Sequence, residues 1–133
     1  MFNFFNKNPK NPKIKTINQK RKELRKLVKQ KQYDTALKLG TEILQKFPEE
    51  HNVLFIVGGI YYIQNKYRLA VYYFERALKI GSYDTEVLIL KANSHYFLDE
   101  PMESIRCCDK IKEIDPKNKA VSELLCKIES AKK

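Results

Sequence analysis

Between His51 and Asp84 the apolar residues return at helical intervals in two runs. Leu54, Val57, Gly58 and Tyr61 mark the first, Tyr67, Ala70, Phe74 and Ala77 the second, and Gln64-Asn65-Lys66 separates them. That spacing predicts two amphipathic helices packed closely together. Gly58, Ala70 and Ala77 let the backbones approach, while Tyr61, Tyr67 and Phe74 fill the space around them. The flanking sequence reads the same way. Helices are expected over about Ile17–Gln30, Tyr33–Lys46, Thr85–Phe97, Pro101–Glu113 and Lys119–Ala131. Phe47-Pro48, Gly81 and Asp115-Pro116 punctuate them; Asp84 suits an N-cap and Pro101 a first helical position. Residues 1–16, with Pro9 and Pro12 three apart, are expected to form an extended arm rather than a helix. No strand pattern competes.

The pattern also repeats. Tyr33-x-x-Ala36 returns as Tyr67-x-x-Ala70 and as Pro101-x-x-Ser104, each step being 34 residues. Phe47-Pro48, Gly81-Ser82 and Asp115-Pro116 keep the same interval, as do Leu54 and Leu88. A fixed helix-turn-helix period of this length is the signature of a solenoid.

On these residues the chain resembles the tetratricopeptide repeat (TPR) family. Residues 51–84 meet the family pattern with Leu54, Val57, Gly58, Tyr61, Ala70, Phe74 and Ala77, and depart from it at Ser82, where proline is usual. Residues 85–118 match through Leu88, Ala92, His95, Ser104, Cys108, Ile111 and Pro116, but Lys91 stands where an apolar residue is expected. Residues 17–50 match in their second half, through Tyr33, Ala36, Ile43 and Pro48, with Gly40 in place of an aromatic. The resemblance implies an all-α fold: a right-handed superhelical α-solenoid of three helix-turn-helix units, 17–50, 51–84 and 85–118, closed by a capping helix over 119–133.

Composition fits this fold and adds one asymmetry. Of 133 residues 43% are hydrophobic, enough for a core, and Gly and Pro number only 4 and 5. The formal charge is +10, yet residues 1–31 hold 11 Lys or Arg against the single acid Glu23, while residues 32–133 hold 15 of each sign. The excess therefore belongs to the N-terminal quarter. No apolar run reaches the ~20 residues needed to span a bilayer, and MFNFFNKNPK does not read as a secretory signal. Cys107, Cys108 and Cys126 form an odd set without CxxC, read as reduced thiols of a cytoplasmic protein, with Cys108 and Cys126 packing as small hydrophobes.

The resemblance implies a function: a non-catalytic protein-interaction module, adaptor or scaffold, binding a peptide or helix in the concave groove lined by the first helix of each unit. Carried over by position, the binding residues are Arg21 and Arg25 in the first unit, Asn52, Phe55, Gly59 and Tyr62 in the second, and Ile89, Asn93 and Tyr96 in the third. Some members grip a C-terminal carboxylate with Lys, Asn and Arg at fixed places; here those places hold Arg21, Arg25, Ile56, Glu86 and Leu90, so the clamp is absent. An alternative starts from the basic N-terminus. Lys20-Arg21-Lys22 and Arg25-Lys26, with Phe2, Phe4 and Phe5 in the arm, fit a weak contact with acidic lipid or nucleic acid. The same phenylalanines in an apolar groove would give a homo-oligomer. No nucleophile–base pairing or phosphate-cradling loop stands out. His95 and the cysteines lack ligand spacing, so no catalytic residue, metal or cofactor is expected.

Overall fold

The computed structural model describes residues 12–131. Among them are seven helices and no strand: α1 (Pro12–Lys29), α2 (Tyr33–Lys46), α3 (His51–Ile63), α4 (Tyr67–Ile80), α5 (Thr85–Phe97), α6 (Pro101–Ile114) and α7 (Lys119–Ala131). The all-α class and nearly every expected boundary hold. The exception is α1, which begins at Pro12 rather than near Ile17. A proline lacks only an N–H that the first turn leaves unpaired, and its fixed φ suits helix entry. The arm residues Phe2, Phe4, Phe5, Lys7, Pro9 and Lys10 lie outside the described residues.

The chain falls into two compact units, one ending at Pro48 and one beginning at Glu49. In the first, α1 packs on α2. Ile17, Leu24 and Leu27 of α1 are buried, as are Ala36, Ile43 and Leu44 of α2. Gly40 is buried without a side chain to fill the site. Lys20 Nζ lies 3.7 Å from Glu42 Oε2 across the pair.

In the second unit α3 packs on α4, α4 on α5, α5 on α6 and α6 on α7. The contact that sets the first of these spacings is at Gly58. A Cβ there would stand 2.7 Å from Phe74 Cε1, and Phe74 is fully buried. Only glycine lets that ring lie against α3. Further along, Ser104 Oγ donates to the Ala92 carbonyl at 2.9 Å, tying α6 to α5 through a buried hydroxyl. Asp84 caps α5 by accepting from the N–H groups of Glu86 and Val87, and Asn118 Oδ1 accepts from Val121 N–H at the start of α7.

The 34-residue period is written in the backbone as well. Lys31, Asn65 and Asp99 are the non-glycine residues with positive φ among the described residues, at 59°, 62° and 60°. After each, an N–H reaches back over one helical turn: Gln32 to Leu27, Lys66 to Tyr61 and Glu100 to His95, at 2.9, 2.8 and 2.8 Å. This is the same left-handed helix stop three times over. Gly81 ends α4 differently. Its φ is −127°, so left-handed freedom is not the reason for glycine there. Instead a Cβ would stand 3.3 Å from His51 Nε2, which itself lies 3.4 Å from Asp84 Oδ2.

Candidate functional site

The expected binding residues of the second unit sit on α3 and α5, and these two first helices touch directly, as do α5 and α7. Asn52 is exposed, whereas Phe55, Gly59, Tyr62, Ile89, Asn93 and Tyr96 are all half-buried. Each helix gives its opposite side to the core: Val53, Leu54, Val57 and Ile60 from α3, and Val87, Leu88 and Ala92 from α5. Phe55 leans toward Phe74, ring centroids 6.4 Å apart. Gly59 is the reverse of its neighbour Gly58: a Cβ would meet nothing within 4 Å. Ile89 and Tyr96 rest partly on the core around Leu88 and Ala92.

Two of these residues lie near each other across the helices. Burial pushes the Tyr62 phenol pKa above the usual value, and the Asn93 side chain beside it pulls the other way. Tyr62 therefore stays a neutral phenol. From Tyr62 an aromatic series continues. It meets Tyr67 edge-on at 5.6 Å, Tyr67 stacks on Phe97 at 4.8 Å, and Phe97 meets Tyr96 at 5.5 Å. Tyr67 is fixed further by donating its hydroxyl to Asn65 Oδ1 at 2.8 Å. Tyr67 and Phe97 were not among the residues expected on this face. Phe97 is 52% exposed although aromatic, and it follows Tyr96 directly in sequence, which is the signal that marks it. Arg21 and Arg25 belong to the other unit. There Arg21 is half-buried and hydrogen-bonds Asn18 Oδ1, while Arg25 is exposed on α1.

Three further groups fall elsewhere. His95 is buried, its Nδ1 2.8 Å from Glu100 Oε1, and Arg68 Nη2 donates to Glu100 Oε2 at 2.8 Å. Arg68 first, and His95 second, hold the Glu100 carboxyl down at about 2. Cys107 and Cys108 are buried, and desolvation raises the Cys108 thiol to about 11. Cys126 is exposed, contrary to the expectation that it packs. The buried residues of α7 are Val121, Leu124 and Ile128, and Cys126 lies about 200° around the helix from Leu124. No helix of the described residues is long and apolar enough to cross a membrane.

A family model for anaphase-promoting complex, cyclosome, subunit 3 matches residues 29–111, more than half of the chain. The chain belongs to this family. It is a family of tetratricopeptide type, so the repeats are those of a TPR protein. Solved structures agree. The first TPR of Spaghetti (RPAP3), bound to the HSP90 peptide SRMEEVD, superposes with a TM-score of 0.78 at 20% identity, over 84% of this chain and 89% of that one. The second TPR domain of human RPAP3, in complex with the HSP70 peptide SGPTIEEVD, gives 0.79 at 17% identity, over 90% and 98%. The Hsp90 co-chaperone Cns1 from Saccharomyces cerevisiae gives 0.81 at 17%, over 94% of this chain but 42% of its own. At these identities the likeness is one of fold. No curated protein matches the chain.

Proposed function

We propose that this TPR chain is a non-catalytic interaction module, and that the α3–α5 face binds an extended or helical segment of a partner protein. The observation that carries the reading is the row of half-buried Phe55, Tyr62, Asn93 and Tyr96 on one face, beside the open space at Gly59. Half-buried aromatics offer apolar area at small entropic cost. Asn93 supplies an amide for a peptide backbone, and Gly59 admits close approach. The two RPAP3 domains, alike in fold, are seen with peptides, which supports a peptide as the occupant here. Those peptides end in acidic residues. Of the five corresponding clamp places, Arg21 and Arg25 are basic, but the other three hold Ile56, Glu86 and Leu90, and Glu86 is exposed on α5. A carboxylate terminus would lack three of its partners and meet like charge at Glu86, so the segment bound is of another kind. Arg21 and Arg25 extend the basic character of α1.

The test uses a displayed library of random peptides selected on the full chain. Selected peptides should lose most of their binding to the Tyr62→Ala/Asn93→Ala variant, and SRMEEVD should not bind. Unchanged binding by the variant, with its circular dichroism also unchanged, would remove the face from the site.

A second reading is favoured by one observation. On α1 the side chains of Lys22, Arg25, Lys26 and Lys29 are exposed, and Glu23 is the helix's single acid. Such a stripe fits an anionic membrane surface or polyanion. Sedimentation with phosphatidylserine vesicles should fall with added salt and with Arg25→Glu/Lys29→Glu; salt-independent binding would speak against it. Deleting residues 1–11 and measuring mass by light scattering tests arm-mediated self-association in the same preparation.

A further inference from the structure

Lys91 breaks the repeat pattern. Its counterpart one repeat earlier, Val57, is wholly buried in the core. Lys91 is only 18% exposed at its side chain, and the carboxylate near it, Glu75 Oε2, lies 3.5 Å away on a side chain that is itself 54% exposed. A cation that is largely desolvated and held by one loose partner keeps much of its attraction for an anion.

The position of Lys91 is equally telling. Residues two apart on a helix point about 200° apart, so Lys91 faces away from both Ile89 and Asn93. It opens into a cavity of about 550 Å3 between α4, α5 and α6, on the opposite side of α5 from the proposed peptide face. Leu78, Leu88 and Cys107 line it with apolar surface. Leu88 and Cys107 are themselves buried, and burial pushes the Cys107 thiol up, so it is a neutral wall. Around this lining stand five cations, Arg76, Lys79, Lys91, Arg106 and Lys110, against two carboxylates, Glu75 and Glu103. Glu75 faces Lys91, and Glu103 pairs with Arg106. The lining is thus net positive by formal charge. Two of the cations lie against aromatic rings. The Arg76 guanidinium is 5.5 and 5.4 Å from the Tyr72 and Tyr73 rings, and Lys110 Nζ is 5.2 Å from the Tyr83 ring.

We propose that this cavity binds an aromatic phosphate monoester, its ring against Leu78, Leu88 and Cys107 and its phosphate held by Lys91 with Lys79 and Lys110. The volume falls within the range of about 300–1,000 Å3 usual for small-ligand sites. A dianion matches the charge excess better than a carboxylate does, and ammonium groups bind phosphate as point charges. Inorganic phosphate would leave the apolar lining uncovered. The Tyr72 ring, itself lining the cavity, adds a flat wall for an aromatic body. The ester can be a free aryl phosphate or a phosphorylated tyrosine side chain, which present the same chemistry.

The test is calorimetric and NMR titration of the full chain with phenyl phosphate, beside inorganic phosphate and benzyl alcohol. Phenyl phosphate should saturate and shift the amides of Leu88, Lys91 and Cys107. Both controls should bind at least about ten-fold more weakly. Lys91→Met, which restores an apolar residue at that place, should weaken phenyl phosphate by about ten-fold or more. Where that variant does not fold, Lys79→Ala/Lys110→Ala should give the same loss. A phosphotyrosine peptide binding more tightly than phenyl phosphate assigns the site to a partner's modified side chain; equal or weaker binding assigns it to a free ester. No saturation at millimolar phenyl phosphate, equal binding of inorganic phosphate, or indifference to the lysine substitutions would overturn the proposal.

Discussion

The second and third repeats share one backbone plan but fill it with different chemistry. In residues 51–84 the key places are apolar: Val57, Gly58, Ala70 and Phe74 are all fully or almost fully buried. In residues 85–118 the places of Val57, Tyr61, Ala70 and Phe74 are taken by Lys91, His95, Ser104 and Cys108. Each polar substitute found a partner. Lys91 faces Glu75, His95 meets Glu100 beside Arg68, and Ser104 donates to Ala92. Two of these links lead to α4, so the third repeat is tied to the second by charge as well as by packing. One plan is held in one case by volume and in the other by directed bonds.

Substitutions can break this contrast at several points. The largest effect is expected at Phe74. Phe74→Ala should destabilise the chain by about 3–5 kcal/mol in chemical denaturation, whereas its counterpart Cys108→Ala should cost about 1 kcal/mol, since far less volume is lost. Next comes Gly58. An added methyl would press on a ring that has nowhere to go, and overpacking of about 1–3 kcal/mol outweighs the gain of roughly 1 in helix propensity. Gly58→Ala should therefore lower the melting temperature. Gly59→Ala, one residue on, should raise stability by about 0.5–1 kcal/mol, because its methyl enters open space. Under the proposed function Gly59→Ala should also weaken peptide binding, so stability and affinity move in opposite directions.

The smallest effect is expected at Glu100 and depends on pH. Its carboxyl ionises near 2 in the folded chain, below the ordinary value of 4.5. The folded state thus favours the charged form, and the stability it contributes is complete above about 4.5 and is lost as pH falls toward 2. Glu100→Gln should be less stable than the parent at pH 7, and the gap should close as pH approaches 2. A gap that is constant with pH would mean that Arg68 and His95 do not act on the carboxylate.

Much of the fold was legible in the sequence because the period of apolar residues and the period of the turns are the same. The starts of α2, α5, α6 and α7 fall where Tyr33, the Asp84 cap, Pro101 and Lys119 put them. Residues 12–16 were misread because a proline that forbids a helix interior is at ease in a first turn. The candidate site was legible only in part. Position within the repeat pointed to Tyr62 and Asn93, which lie near each other across α3 and α5. It did not point to Tyr67 or Phe97, whose stacking depends on how α4 meets the end of α5. Nor did it point to the cavity behind α5, although Lys91 at an apolar place was the visible sign. A departure from pattern locates a feature; only the neighbours tell what it does.

The most direct test is to map a library-selected peptide on the full chain by NMR chemical-shift perturbation. The largest changes should fall at Phe55, Gly59, Tyr62, Ile89, Asn93 and Tyr96, with Lys79, Lys91 and Arg106 little affected. Changes concentrated instead on Lys79, Lys91 and Arg106, or on α1, would contradict the assignment of the α3–α5 face.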